Sequence, residues 1–154
     1  MASAKTFYSV TEKLRDILLD DVNVNTVTYG DITKVATHKT TIYPLSHFVV
    51  NSVQVQDNVF IINISLACMD IIDQTNISPK DHFNGNDNQM DIFNTQLAVI
   101  SRAILLLRRA AASDAGFKII GEPTMQQFNH RFEDDVAGWD VTFDLMVVQD
   151  MSIC

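Results

Sequence analysis

Little in this chain invites chemistry. Only two of its 154 residues are cysteines, Cys68 and Cys154. A disulfide framework or a zinc site needs more thiols than that, so a reducing compartment is expected. Cys68 lies in the apolar run Leu66-Ala67-Cys68-Met69, where a buried, inert thiol is the expectation. Cys154 is the final residue of the sequence, where fraying is expected. The five glycines include no glycine-rich phosphate loop. Four histidines, at positions 38, 47, 82 and 130, show no metal-binding i, i+4 pair and no HExxH. Cations are scarce too: 11 Lys and Arg stand against 19 Asp and Glu, a net charge of −8. That balance argues against a nucleic-acid grip, because phosphate binding needs clustered Lys and Arg. The nearest cluster, Arg102, Arg108 and Arg109, reads as the solvated or subunit-facing end of one helix. No apolar run reaches the roughly 20 residues of a membrane span; Asn63 and Ser65 break one candidate and Arg102 the other. The first residues mix Lys5, Glu12, Lys13, Arg15 and Asp16 with apolar positions, unlike a signal peptide. Without secretion the sequons at Asn63 and Asn76 carry no meaning.

What is present is the balance of an ordinary globular protein, 47% hydrophobic and 19% charged, which argues against disorder. The length fits one domain over residues 1–154. Phe7, Val10, Leu14 and Ile17 line one face of a helix expected from Thr6 to Asp20. Asn25 to Tyr29 is rich in β-branched residues and stops at the turn signal Gly30-Asp31. Ile32 to Thr41 reads as a loop or irregular arm. Ser46–Val55 and Val59–Ile72 read as a hairpin about Gln56-Asp57-Asn58, with Phe60, Ile62, Ile64, Leu66 and Cys68 on one face. The second strand exceeds the usual five or six residues, so it is expected to bend or to extend beyond the domain. Thr75–Asn88 has loop composition. A long helix follows from Asn88 to Ala112. Met90, Phe93, Leu97, Ile100, Ile104 and Leu107 form its main stripe, and Ile92, Val99 and Leu106 a second beside it. Asp87 and Asp91 near the start, with Arg108 and Arg109 near the end, suit the helix dipole. Lys118–Ile120 is a short strand candidate. Met125–Val136 is ambiguous: Phe128 and Phe132 at i, i+4 lean helical, and Gly138 suggests a bulge. Gly138–Val148 alternates as a half-buried strand. The order predicts an α+β fold, an antiparallel sheet with an N-terminal helix and a long central helix packed on one face.

No constellation of acid, base and nucleophile emerges, so no catalytic, cofactor-binding or metal residue is assigned, no cofactor is expected, and the protein is not expected to be an enzyme. His47 follows Pro44-Leu45-Ser46, but no nucleophile-elbow pattern surrounds it. Asp70 and Asp73 fall on opposite faces of a strand. An EF-hand aligned on Gly85 would put Lys80 at the first ligand position, which rejects it. A weaker calcium site from Asp81, Asp87 and Asp91 is outweighed by a solvated loop capping the next helix. Apolar surface exceeds the needs of one small core, on two adjoining stripes of the long helix and on both faces of Val59–Cys68. It fits an interface or a fully buried central element equally well. If the first stripe faces the core, charges at Leu97 or Ile104 unfold the protomer, whereas charges at Val99 or Leu106 mainly block assembly.

Several strings and the order of elements resemble the tail-completion, or tail-terminator, family of tailed bacteriophages. They are Asn25-Thr26-Val27-Thr28-Tyr29-Gly30-Asp31, Ile42-Tyr43-Pro44-Leu45-Ser46-His47, Cys68-Met69-Asp70, and the stretch from Ala137-Gly138-Trp139 to Asp150-Met151-Ser152. Short-tailed and crAss-like phages carry related neck or ring proteins. The likeness covers most of the chain in topology and local texture. It implies a virion protein, assembled in the host cytoplasm, whose copies close into a ring joining the portal or adaptor to the tail tube. DNA would pass through the lumen without specific binding, with no membrane partner. Thr33–Thr41 and Thr75–Asn88 are the expected arms toward neighbouring rings. A small non-enzymatic adaptor or ligand-binding domain is the alternative.

Overall fold

The computed structural model describes residues 6–31, 42–72, 88–113, 117–131 and 136–148. In chain order they form α1 (Thr6–Leu19), β1 (Thr26–Tyr29), β2 (Leu45–Gln56), β3 (Val59–Ile71), α2 (Gln89–Ser113), β4 (Phe117–Ile120), β5 (Met125–Arg131) and β6 (Val136–Val148). The strands make one six-stranded sheet in the order β1-β2-β3-β6-β4, with β5 also on β6. All its pairings are antiparallel except β1 on β2, which is parallel. The α+β architecture is as the sequence order predicts, apart from that parallel edge. β6 holds the sheet together: one edge pairs with β3 along its whole length, while β4 and β5 share the other edge in tandem.

Alternation decides the faces. Ile62, Ile64, Leu66 and Cys68 of β3 join Val141, Phe143, Leu145 and Val147 of β6 in a core with Val10, Leu14, Ile17 and Leu18 of α1 and Val99, Ile100, Ala103, Ile104 and Leu107 of α2. Both helices thus cover the same side. α1 is tied to α2 at its end. Arg102 Nη1 donates to the carbonyl of Ile17 at 3.0 Å, and its guanidinium meets Asp20 at 3.2 Å and Asp21 at 3.8 Å. A cation there satisfies a last-turn carbonyl and complements the helix dipole. Arg102 is therefore an interhelical clamp, not part of a solvated basic end. Arg108 and Arg109 are exposed and more than a turn short of the helix end at Ser113. At the other end of α2, the carbonyl of Asn88 accepts from the Ile92 amide at 3.0 Å, and Asn88 Nδ2 donates to the Ile71 carbonyl at 3.4 Å.

Three expectations are corrected. The first concerns α2. Met90 and Leu97 of the expected core stripe are 46% and 37% exposed, while Val99 of the second stripe is 1% exposed. The sheet faces the line between the two stripes, where Gln96 and Ala103 stand, both 1% exposed. A seven-residue stripe drifts around a straight helix, so a helix lying on a sheet buries a wider, rotated face. The second concerns β5, which is a strand despite its helical lean: Phe128 pairs opposite Gly138 on β6 and is buried with Tyr43, Leu45, Met69 and Val136. Phe132 lies outside the described residues. The third concerns Gly138, which marks no bulge, because β3–β6 register runs unbroken through it. A Cβ there would strike the Cys68 carbonyl oxygen and sit 2.8 Å from Met69 Cα. The glycine permits close strand approach. The irregularities lie instead between Val50 and Ser52 and between Asn129 and Arg131.

Gln89–Arg109 of α2 is, contrary to expectation, long and apolar enough by composition to cross a membrane. In the fold Val99, Ile100, Ala103, Ile104 and Leu107 of this stretch join the core on the sheet and Arg102 is paired with α1, while Met90, Leu97 and Leu105 stay exposed.

Candidate interaction surfaces

His47, Cys68 and Asp70 each have local partners in the sheet. His47 is buried in β2. Its Nε2 donates to the Gly30 carbonyl at 2.7 Å, which leaves Nδ1 to accept from the Thr28 hydroxyl at 2.7 Å. Burial pushes its pKa below 6.5, partly offset by the Gly30 bond and the charge of Asp31. The imidazole therefore pins the parallel β1 edge onto β2, where Thr28 stands opposite His47. Cys68 is fully buried, its Sγ 3.3 Å from Ser46 Oγ, and burial raises its pKa to about 12. This is the inert thiol expected. Asp70 Oδ1 accepts from the Ile71 amide at 2.8 Å, and burial raises its pKa. Asp91 is exposed on α2. No group of His, Cys, Asp and Glu among the described residues is arranged to hold a metal ion. His38, Asp73, Lys80, Asp81, His82, Gly85, Asp87, Cys154, the arm Thr33–Thr41 and residues 75–87 lie outside the described residues.

The remaining features are surfaces. The first is an open groove of about 290 Å³ between α1 and β1, lined by Phe7, Tyr8, Thr11, Val27, Tyr29 and Phe48 among others. Its rings stack edge to face in sequence, Phe7 on Tyr29 at 6.3 Å and Tyr29 on Phe48 at 5.2 Å. Phe7 and Tyr29 are 43% and 46% exposed. Phe7 was expected in the core; being first in its stripe, it reaches past the sheet edge.

The second surface is the outer side of α2. Between Asp91 and Arg102 the helix has no charged residue, and Met90, Leu97 and Leu105 are exposed along its outer side.

The third is the far half of the hairpin. The β1 partnership with β2 ends at Tyr29↔Phe48, and the Tyr29 hydroxyl accepts from the Val50 amide at 3.3 Å. Beyond that point every residue from Asn51 to Asn58 is exposed. The outer edge of Asn51–Gln56 has no strand partner among the described residues. Val53 and Val55 are 44% and 70% exposed, although they stand on the helix-facing side of the sheet, opposite Ile62 and Phe60.

On the sheet face away from the helices, Leu45, Met69, Phe128 and Val136 form a second buried cluster with Tyr43, and beyond it the face is polar, crossed by a ladder of side chains. Asn51 Nδ2 donates to Asn63 Oδ1 at 2.8 Å and to Ser65 Oγ at 2.7 Å. Asn63 Nδ2 donates to Asp144 at 2.9 Å, and Ser65 Oγ lies 3.1 Å from the Thr142 hydroxyl. These residues account for the mixed face of β3 seen in sequence. No protein-family model matches this chain, and no curated protein is significantly similar to it.

Proposed function

We propose that the protein is a structural subunit of a bacteriophage neck or tail end, copies of which join head to tail in a ring between the portal or adaptor and the tail tube. The observation that carries this reading is the uncharged hairpin edge at Asn51–Gln56, which has no strand partner among the described residues, with its two exposed valines. Solitary sheet proteins blunt such edges with charge, proline or a covering element, whereas a subunit keeps them for its neighbour. The resemblance of the β1 and Ile42–His47 strings to tail-completion proteins supports it; in the fold these strings pair through Thr28 and His47. A ring of identical copies needs a heterologous contact that closes by rotation. The net charge of −8 suits a channel through which DNA slides without adhering.

The test is the mass of the purified protein by native mass spectrometry across a concentration range, alone and with isolated capsids or tail tubes. A discrete species of six or twelve subunits is expected. A monomer under all these conditions, bound to neither particle, refutes the reading. The aromatic groove beside α1 favours a second reading, an adaptor or ligand-binding domain. Saturable binding of a small aromatic ligand there, lost with Tyr29→Ala in a protein that stays monomeric, would establish that instead.

A further inference from the structure

Resting on the ring reading, we infer that the contact between neighbouring copies is a continued β-sheet: the outer edge of β2 at Ser52–Val55 pairs with the outer edge of β4 at Phe117–Ile120 in the next copy, neither edge having a strand partner among the described residues. Both edges belong to the same sheet but to opposite sides of it, since β4 ends the strand order that begins with β1 and β2.

Three properties make them complementary. The first is direction. β2 is antiparallel to β3, β3 to β6, and β6 to β4; β2 and β4 therefore run in opposite senses, and a second copy in the same orientation presents β4 antiparallel to β2. The second is level. Val55 lies on the row Val55–Phe60–Val147–Phe117, and Val53 on the row Val53–Ile62–Leu145–Ile119. At the lower rows the sheet ends at β1 on one side and β5 on the other; at the upper rows its outermost strands among the described residues are β2 and β4, which stand at the same level. The third is the character of the faces. Val53 and Val55 stand on the helix-covered side, as do Phe117 and Ile119, which pack into the core. Joining the edges row to row sets Val55 beside Phe117 and Val53 beside Ile119, and the core of one copy continues into the next. Aromatic and β-branched cross-strand pairs of this kind are stabilising. Asn51–Gln56 carries no charge and β4 only Lys118, so no like charges meet. Main-chain hydrogen bonds supply the affinity and the valines the register, as in strand addition generally.

The test uses Gln54 and Lys118, which share the row Gln54–Ile61–Met146–Lys118 on the other side of the sheet and are both exposed. In a Cys154→Ser background, Gln54→Cys and Lys118→Cys proteins are mixed under mild oxidation. The expected product is a disulfide-linked pair from the mixture, at least tenfold more than either variant forms alone or than Lys118→Cys forms with Glu12→Cys, an exposed control on α1. In parallel, Val55→Lys should keep the unfolding midpoint and lose the oligomer. Equal crosslinking in all mixtures, or an oligomer unchanged by Val55→Lys, overturns the inference. If rings persist in that case, the ring reading survives without this contact. Crosslinked filaments instead of rings would uphold the edge pairing and count against closure.

Discussion

The two ends of β2 share a strand yet live in different surroundings. Leu45 to Phe48 are all buried, held between the parallel β1 and the length of β3. Asn51 to Gln56 are all exposed on the same ladder. Polar Ser46 and His47 are buried at one end while Val53 and Val55 are exposed at the other, so hydrophobicity does not separate them. What separates them is the reach of β1, which stops at Tyr29, opposite Phe48. Apolar residues beyond the last covering element are left over for a partner. The hairpin's length, more than twice the usual five or six residues, is what carries it past its own core.

The comparison breaks most visibly in α2. Val99→Asp, which puts a charge into a position 1% exposed, is expected to cost about 3 kcal/mol or more, or to prevent folding. Leu97→Asp at 37% exposure should leave a folded protein with stability within about 1 kcal/mol. Urea denaturation followed by circular dichroism checks both; a larger loss for Leu97→Asp than for Val99→Asp would restore the stripe assignment read from sequence alone. Next in size is Gly138→Ala. The added methyl meets backbone of Cys68 and Met69 rather than a movable side chain, so the loss should be about 1–3 kcal/mol or more by the same measurement. A neutral effect would mean that the two strands separate freely at this row.

A smaller, pH-dependent effect belongs to the β1 edge. The pKa of His47 is lowered in the folded state by burial, so the unfolded chain binds the proton more readily. The contribution of His47 is fully present above pH 6.5 and fades as pH falls from there through the depressed folded value. Asp70, whose pKa burial raises, acts in the opposite sense within the carboxylate range. Stability measured from pH 8 to pH 5 should therefore decline in the wild type and flatten in His47→Gln, at a lower overall level. Parallel slopes in the two proteins would remove His47 as the cause. The smallest effect on stability is expected at the hairpin: Val55→Ala, at 70% exposure, should change unfolding by no more than about 0.5 kcal/mol. A larger loss in the monomer would place Val55 in its own core and weaken the contrast between the two ends of β2.

Much of this architecture was legible in the residues. α1, the hairpin, α2, β4 and β6 follow from periods of 3.6 and 2.0 and from turn residues such as Asn58, whose φ of 63° asparagine tolerates. The face of β3 carrying Ile62, Ile64, Leu66 and Cys68 was readable because a strand has only two sides. β5 was not readable, since Met125–Arg131 has no alternation and its strand character comes from pairing with β6. Nor was the structural role of His47, because its partners Thr28 and Gly30 are 19 and 17 residues away. Arg102 is the same case: a residue read as solvated reaches α1 across 85 positions to the Ile17 carbonyl.

By itself, then, the sequence determined the kind and order of the described elements other than β5, because periodicity is a local property of the chain. Only the tertiary structure decided which side of α2 meets the sheet, why Gly138 must lack a side chain, and that the upper edges of β2 and β4, unpaired among the described residues, stand at matching heights. Those depend on strand register and on the reach of each covering element, which arise only when distant segments meet.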